Sequence, residues 1–340
     1  MGGVTAAVLA IDGGNSKTDV CLISADGRAL GYARGPGSNH QLVGLDAAFD
    51  VLAGLVAEAG SEAGIDTGSI LAQHAAVCLA GADFPREVEM LHARVSLAGW
   101  AAEISLDNDT FALLRAGTYA ANRIAVVCGA GINCVGVSAA GDVLRFPSVG
   151  PLSGDWGGGA ALGTETLFLA VRAEDGRGQP TALREAVMQH FGMESVVDVT
   201  AALHFGEMPR SRIHELVPVL LQVAAAGDGP ARAVVDRLAE EVFLLARATL
   251  DRLDLRDQPT DVVLGGSVLA ARHPLLMEGV SRRLAAYAPR ANVLVVADPP
   301  VVGAALLGLD ALGASPDAKI AARDALLART RTASFRSAAC

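Results

Sequence analysis

Three glycine-rich loops and one acidic run hold the residues in this chain whose types and spacing can do chemistry. The first loop is Asp12-Gly13-Gly14-Asn15-Ser16-Lys17-Thr18, preceded by an apolar run and followed by Asp19 to Ser24. Both flanks are rich in β-branched and apolar residues and read as strands, so the glycines sit in a hairpin turn. Glycine admits positive φ and lets a ligand approach the main chain. Backbone N–H groups, Ser16, Lys17 and Thr18 would then surround an anion such as a phosphate. A Walker loop needs glycine directly before Lys-Ser/Thr and a helix after it, whereas here Ser16 precedes Lys17 and a strand follows. A dinucleotide fingerprint needs the same helix. A plain tight hairpin, with Asp12 and Asn15 serving the turn, is the other reading of this stretch alone.

The acidic run Asp107-Asn108-Asp109-Thr110 closes a strand and opens a helix. Asp109 or Thr110 would cap that helix. Capping accounts for one polar residue but not for three in a row at the C-terminal end of a strand, where sheet enzymes place their ligands. If the strand geometry persists, Asp107 and Asp109 point to one side and Asn108 to the other. Two carboxylates on one side raise the pKa of one of them, and such a group accepts a proton from a sugar hydroxyl. Ser38, Asn39 and His40 follow the third strand and offer neutral hydrogen-bonding groups suited to sugar hydroxyls, although His40 alone also reads as a surface-loop histidine. In the loop Gly150–Gly159, Asp155 would bind hydroxyls or an amine and Trp156 would stack on a sugar face, and a flexible hinge is the alternative. Asp83 reads equally as a polar site residue or a helix N-cap.

The elements that must position these residues repeat. Residues 8–34 run strand, Gly turn, strand, turn at Asp26-Gly27, strand, and residues 124–147 run the same way around Gly129-Ala130-Gly131-Ile132-Asn133. Each unit is followed by helix, short apolar strand, helix and strand. In the first half these are Leu45–Ala63, Ala75–Leu79, Pro85–Ala98 and Glu103–Leu106. In the second half the helical part spans about 160–253, with strands Asp261–Leu264 and Asn292–Ala297 and helices Pro230–Leu253 and Pro274–Ala288. A third glycine pair, Gly265-Gly266-Ser267, ends a strand before a helix, where glycine leaves room for a flat base and ribose or serves a simple strand-to-helix turn. The expected fold is α/β: a duplicated β-β-β-α-β-α-β unit whose two domains face a cleft, 1–117 with a C-terminal helix 302–328, then 118–301, and a flexible tail 329–340.

The chain has 340 residues, 51% hydrophobic but only 4% aromatic, so its core is built mainly of Ala, Val and Leu. A net charge of −10 argues against nucleic acid or an anionic membrane as partner. No apolar run reaches the roughly 18 residues of a membrane span, and no leader is visible. Five cysteines without a Cys-x-x-Cys fit a reducing cytoplasm and argue against a zinc site or a disulfide framework.

On the loops Asp12–Thr18, Gly129–Asn133 and Gly265–Ser267 the chain resembles the sugar kinase, Hsp70 and actin superfamily, a duplicated actin-like (ribonuclease H-like) ATPase fold. Within it the chain resembles the BadF/BadG/BcrA/BcrD-type ATPases, the group containing N-acetylglucosamine kinase. Asp107-Asn108-Asp109-Thr110-Phe111-Ala112 with Arg115-Ala116-Gly117-Thr118 resembles more narrowly the glucosamine kinases of actinobacteria. The resemblance implies ATP and Mg²⁺ as cofactors, with Asp12 holding the metal mostly through water. It implies that Gly13, Gly14, Asn15, Ser16, Lys17 and Thr18 face the ATP phosphates from one side and Gly129, Ala130, Gly131 and Asn133 from the other. Gly265, Gly266 and Ser267 would border the adenosine, while Ser38, Asn39, His40 and Asn108 would line the sugar. Asp109 would deprotonate the 6-hydroxyl of glucosamine. The family loop usually carries Gly-Asp-Glu-Gly, and here Trp156 follows Asp155, which together with a carboxylate at Asp107 points to a free amine on the sugar's second carbon. N-acetylglucosamine kinase and glucokinase are the nearest alternatives. An activator ATPase of acyl-CoA dehydratases would need cluster-binding cysteines, and a sugar-sensing regulator a DNA-binding module. The resemblance favours a homodimer.

Overall fold

The computed structural model describes residues 6–66 and 68–337. In chain order the elements are β1 (Ala6–Gly13), β2 (Lys17–Ile23), β3 (Ala29–Pro36), α1 (His40–Val43), α2 (Leu45–Ala63), β4 (Ala72–Leu79), α3 (Pro85–Ala98), β5 (Ala101–Asn108) and α4 (Asp109–Gly117). There follow β6 (Arg123–Cys128), β7 (Ile132–Val137), β8 (Val143–Arg145), α5 (Gly158–Glu174), α6 (Leu183–Phe191), α7 (Val196–Phe205), α8 (Leu216–Ala225) and α9 (Gly229–Arg252). The chain closes with β9 (Thr260–Gly265), α10 (Ser267–Ala270), α11 (Pro274–Tyr287), β10 (Ala291–Val295), α12 (Pro300–Ala311) and α13 (Pro316–Ser337).

The chain divides into two compact units, one of Met1–Tyr119 with Val296–Cys340 and the other of Ala120–Val295. The sequence pattern puts these boundaries after 117 and 301, and its loose tail begins at 329, where the structure carries α13 on to Ser337. Residues 338–340 lie outside the described residues.

The first unit holds a five-stranded sheet in the order β3-β2-β1-β4-β5. β1 pairs antiparallel with β2 and parallel with β4, and β4 pairs parallel with β5. β1 is buried along its whole length. Leu9 and Ile11 pack on α2 with Phe49, Leu52 and Val56, and Val8 and Ala10 pack on α12 with Val301, Ala305 and Leu309. A strand covered on both faces is apolar throughout rather than alternating, which is why the approach to Asp12 reads as one hydrophobic run. The second unit has the order β10-β9-β6-β7-β8. Reversed, this is the first sheet's order with the same parallel and antiparallel pairings, so each half carries the expected duplicated actin-like layout. The long helical stretch of the second half breaks into α5 to α9 at Gly176, Gly192, Gly206 and Gly227, all at positive φ.

Candidate functional site

In the first unit the reactive residues gather at the C-terminal ends of β1, β4 and β5. Register aligns Asp12 with Cys78 and Cys78 with Asp107, so all three point to the sheet face that α12 covers. Asp109 follows as the first residue of α4. Burial, then the carboxylates of Asp12, Asp107 and Asp109, push the Cys78 thiol well up, so all three acids act on one buried sulfur. Asp12 is 6% exposed. Desolvation, then Asp109 and Asp19, hold its carboxyl well above the usual carboxylate range, against the opposing pull of Lys17 and Arg34. Burial likewise pushes Asp109 up to about 6, although the N–H groups at the start of α4 favour its charged form. A carboxyl in that range is ionised at neutral pH while staying more basic than an ordinary aspartate.

The strand geometry expected through 107–109 stops at Asn108. Asn108 is the N-cap of α4: its Oδ1 accepts from Thr110 N at 3.0 Å and from Thr110 Oγ1 at 2.7 Å. The cap is therefore neither Asp109 nor Thr110. Asn108 Nδ2 donates to Asp83 Oδ1 at 2.9 Å. Asp83 precedes Phe84, the N-cap of α3, so Asp83 itself is not that cap. Gln41 Nε2 reaches both Asp83 Oδ2 (3.1 Å) and Glu87 Oε1 (2.8 Å), and Glu87 also accepts from Asp83 N and Phe84 N. His40 Nε2 lies 3.6 Å from Glu87, and the ring is only 10% exposed, so it is no surface-loop histidine. Its Nδ1 is buried with no hydrogen-bond partner among the described residues. This chain of contacts joins the segments after β3, β4 and β5.

The hairpin between β1 and β2 is tied to the same loops. Thr18 Oγ1 donates to Ser38 Oγ at 2.8 Å and Asn39 Nδ2 to Asn15 Oδ1 at 2.7 Å. A Cβ at Gly37 would stand 2.1 Å from Asn15 O, so only glycine lets the loop lie on the hairpin. Thr18 is fully buried and its hydroxyl is committed to Ser38. Asn15, Ser16 and Lys17 are the exposed tip, beside Gly13 and Gly14. Among the described residues no three His, Cys, Asp or Glu side chains converge in a metal-holding group. Asp12, a buried carboxylate flanked by other acids, fits a cation that keeps most of its waters, as Mg²⁺ does.

In the second unit the loop Gly129, Ala130, Gly131, Ile132 and Asn133 is braced by the start of α5. Gly159 N donates to Gly129 O at 2.7 Å and Ala160 N to Ala130 O at 3.1 Å. Gly158 has φ +77°, and a Cβ there would stand 2.5 Å from Gly131 Cα. Gly265, Gly266 and Ser267 lie alongside. Gly266 has φ +81°, and its Cβ position is 2.4 Å from Cys128 O, while the Cβ position of Gly129 is 3.9 Å from Ser267 N. These loops present main chain rather than side chains, which is what phosphate and a flat base require. Asp155 belongs to this unit. Trp156 next to it carries the Arg237 guanidinium 3.8 Å above its ring and packs on the unit's core, so the ring face expected to meet a sugar holds an arginine instead.

Sequence reasoning did not single out Asp19, Tyr32, Arg34, Gln41, Glu87, Gly158 or Arg237. For Asp19 and Arg34 the signal was available, because hairpin register sets Asp12 opposite Asp19 and Asp19 opposite Arg34. The others are long-range pairs with no local mark.

The sequence pattern of the BadF/BadG/BcrA/BcrD ATPase family matches residues 9–308. An N-acetyl-D-glucosamine kinase of Dictyostelium discoideum is 25% identical, over 89% of this chain and 97% of its own length. A glucosamine kinase of Vibrio cholerae is 24% identical, over 69% of this chain and 78% of its own. A Chromobacterium violaceum crystal structure provisionally labelled an N-acetylglucosamine kinase shares the fold with a TM-score of 0.70 at 24% identity, covering 90% of this chain and 99% of its own.

Proposed function

The chain belongs to the BadF/BadG/BcrA/BcrD ATPase family, and from that premise we propose that it transfers the terminal phosphoryl group of ATP to the 6-hydroxyl of a hexosamine, glucosamine first. The observation that carries this reading is Asp109. Its carboxyl is pushed up to about 6 at the mouth of β5, close enough to act on Asp12, a buried carboxylate that fits a metal. Mg²⁺, when bound, would neutralise charge on the phosphates. Asp12 would hold it through water. Asn15, Ser16 and Lys17 with the glycines of the hairpin would hold the phosphates, and so would the Gly129–Asn133 loop. Gly265, Gly266 and Ser267 would border the adenosine. Ser38, Asn39, His40 and Asn108 would set the sugar ring, with the Glu87–Gln41–Asp83 chain keeping their loops in place. Asp109 Oδ would take the proton of the 6-hydroxyl as the new O–P bond forms. Transfer passes through a loose transition state, so positioning outweighs the base.

Asp107 and Asp155 are the residues proposed to read the free amine. A carboxylate–ammonium contact is worth about 1.5–3 kcal/mol, roughly tenfold to over a hundredfold in preference. Asp107→Ala is therefore expected to lower the glucosamine-to-glucose ratio of kcat/KM by at least about tenfold. An unchanged ratio removes Asp107 from the amine contact. The alternative substrate is N-acetylglucosamine, which the Dictyostelium relative's name favours. Parallel kcat/KM values for the two sugars decide between them. The protein is expected to work in the cytoplasm as a homodimer. No helix among the described residues is long and apolar enough to cross a membrane.

A further inference from the structure

In one charged cluster beside Asp12, the reading above uses Lys17 and leaves Asp19, Tyr32 and Arg34 without a part. Asp19, on β2, is 0% exposed. Its Oδ1 accepts from the Tyr32 hydroxyl at 2.5 Å and from Arg34 Nε at 2.6 Å, and its Oδ2 accepts from Arg34 Nη2 at 3.1 Å. Lys17 Nζ stands 3.4 Å from the same Oδ2. Register sets Arg34, Asp19 and Asp12 side by side on β3, β2 and β1, so the three side chains share one face of the sheet. Tyr32 and Lys17, two positions away from Arg34 and Asp19 on their own strands, share it too. A lone buried aspartate is costly unless it is paired. Three donors to one carboxylate exceed what a single ion pair needs, and two of the three are cations that also act on Asp12. Both Lys17 and Arg34 act on the Asp12 carboxyl, lowering it. Arg34 is held in a fixed fork on Asp19 and keeps 18% of its side chain exposed, whereas Lys17 keeps 46%.

We propose that Arg34 is a second phosphate-side cation, set next to Lys17 by buried Asp19 and its partner Tyr32, and that the two form a cationic wall beside Asp12 for the terminal phosphates of a nucleoside triphosphate. This rests on reading the 12–18 hairpin as the phosphate hairpin. Asp19 and Tyr32 are positioning residues in this account. Arginine suits the place because its planar fork keeps a rigid grip on Asp19 without losing its charge. A lysine alone, flexible and half-exposed, leaves the wall less ordered.

The test is equilibrium binding, by calorimetry, of the Mg²⁺ complex of a non-hydrolysable ATP analogue and of adenosine, which has no phosphate. Arg34→Gln is expected to weaken the analogue at least about tenfold and to leave adenosine within about twofold. With hexosamine as acceptor it raises KM for ATP and leaves KM for the sugar unchanged. Arg34→Lys, which keeps the charge but loses the fork on Asp19, recovers part of the loss. A structural role alone is separated by the double variant Asp19→Asn/Arg34→Gln, which removes the ion pair without stranding a charge. If Arg34 serves the phosphates, the double variant still binds the analogue weakly. Parent-like affinity in the double variant, or in Arg34→Gln itself, overturns the proposal. So does a parent protein that binds no nucleotide analogue. Should Arg34→Gln fail to fold, Arg34→Lys and the double variant carry the comparison. A parent that binds the analogue but phosphorylates no hexosamine defeats the sugar reading alone, and the binding results still decide this one.

Discussion

Replacing Asp109 with asparagine is expected to lower kcat by about 10²–10⁴-fold, the usual range for loss of a general base, while the protein becomes more stable at neutral pH. The two effects share one cause. The folded-state pKa of Asp109 is pushed up to about 6, mainly by burial, above its ordinary value of 3.8. A group whose folded pKa is raised contributes stability that is complete below the unfolded value and is lost as pH rises through the folded one. Between about pH 4 and pH 6 the native state therefore gives up as much as about 3 kcal/mol to keep Asp109 ionised. Asparagine removes that penalty. Thermal unfolding at pH 7.5 is expected to show a higher Tm for Asp109→Asn than for the parent, with the difference vanishing near pH 4. In the parent, kcat/KM for the sugar falls about tenfold per pH unit below about pH 6, because the base must be ionised to accept the proton. An Asp109→Asn protein that keeps parental kcat removes Asp109 from the chemistry.

Gly303→Ala is the second large effect. Gly303 lies in α12 where that helix crosses α4. A Cβ there would stand 1.7 Å from the Ala112 carbonyl oxygen and 2.9 Å from Ala116 N. Both are backbone atoms, so no side chain can turn aside and the helices must separate. Overpacking of this kind costs about 1–3 kcal/mol, or several degrees of Tm in a unit of this size. Activity is expected to fall further than stability. Asp109 is the first residue of α4, and Arg115 near its end is held to Asp310 of α12 at 2.6 Å, with Lys319 of α13 on the same carboxylate at 2.8 Å. Moving α4 moves Asp109, the proposed base, and a misplacement of about 1 Å can cost a hundredfold in rate. Gly54→Ala is the control. It lies in α2, where a Cβ meets nothing within 4 Å, and it is expected to stabilise by about 0.5–1 kcal/mol. Circular dichroism melts and kcat for the two variants check the contrast. Parental Tm and kcat in Gly303→Ala would contradict the close packing.

The hairpins and their duplication were legible because glycine turns between apolar strands leave a strong local mark. α2 and α3 were legible to the residue, since Gly64 and Gly99 end them in the left-handed conformation. The end of β5 was misjudged because Asn108 works twice, pairing with Leu79 as a strand residue and capping α4. The end of α13 is not legible because its last turns are rich in Arg, Ser and Thr and carry no apolar periodicity. Trp156 looked available because Arg237, which covers its ring, is 81 residues further along the chain. The carboxylate row was visible as composition. What it amounts to depends on register, which brings Asp12, Cys78 and Asp107 abreast, and on burial, which raises Asp12 and Asp109. Neither is a property of the local sequence.

The most direct measurement is ATP consumption by the purified protein with Mg²⁺ and, in parallel, glucosamine, N-acetylglucosamine and glucose. Turnover that depends on added hexosamine, with kcat/KM highest for glucosamine, is the predicted result. Preference for the acetylated sugar would keep the kinase and refute the amine-reading role of Asp107 and Asp155. ATP turnover that no sugar changes would contradict the account.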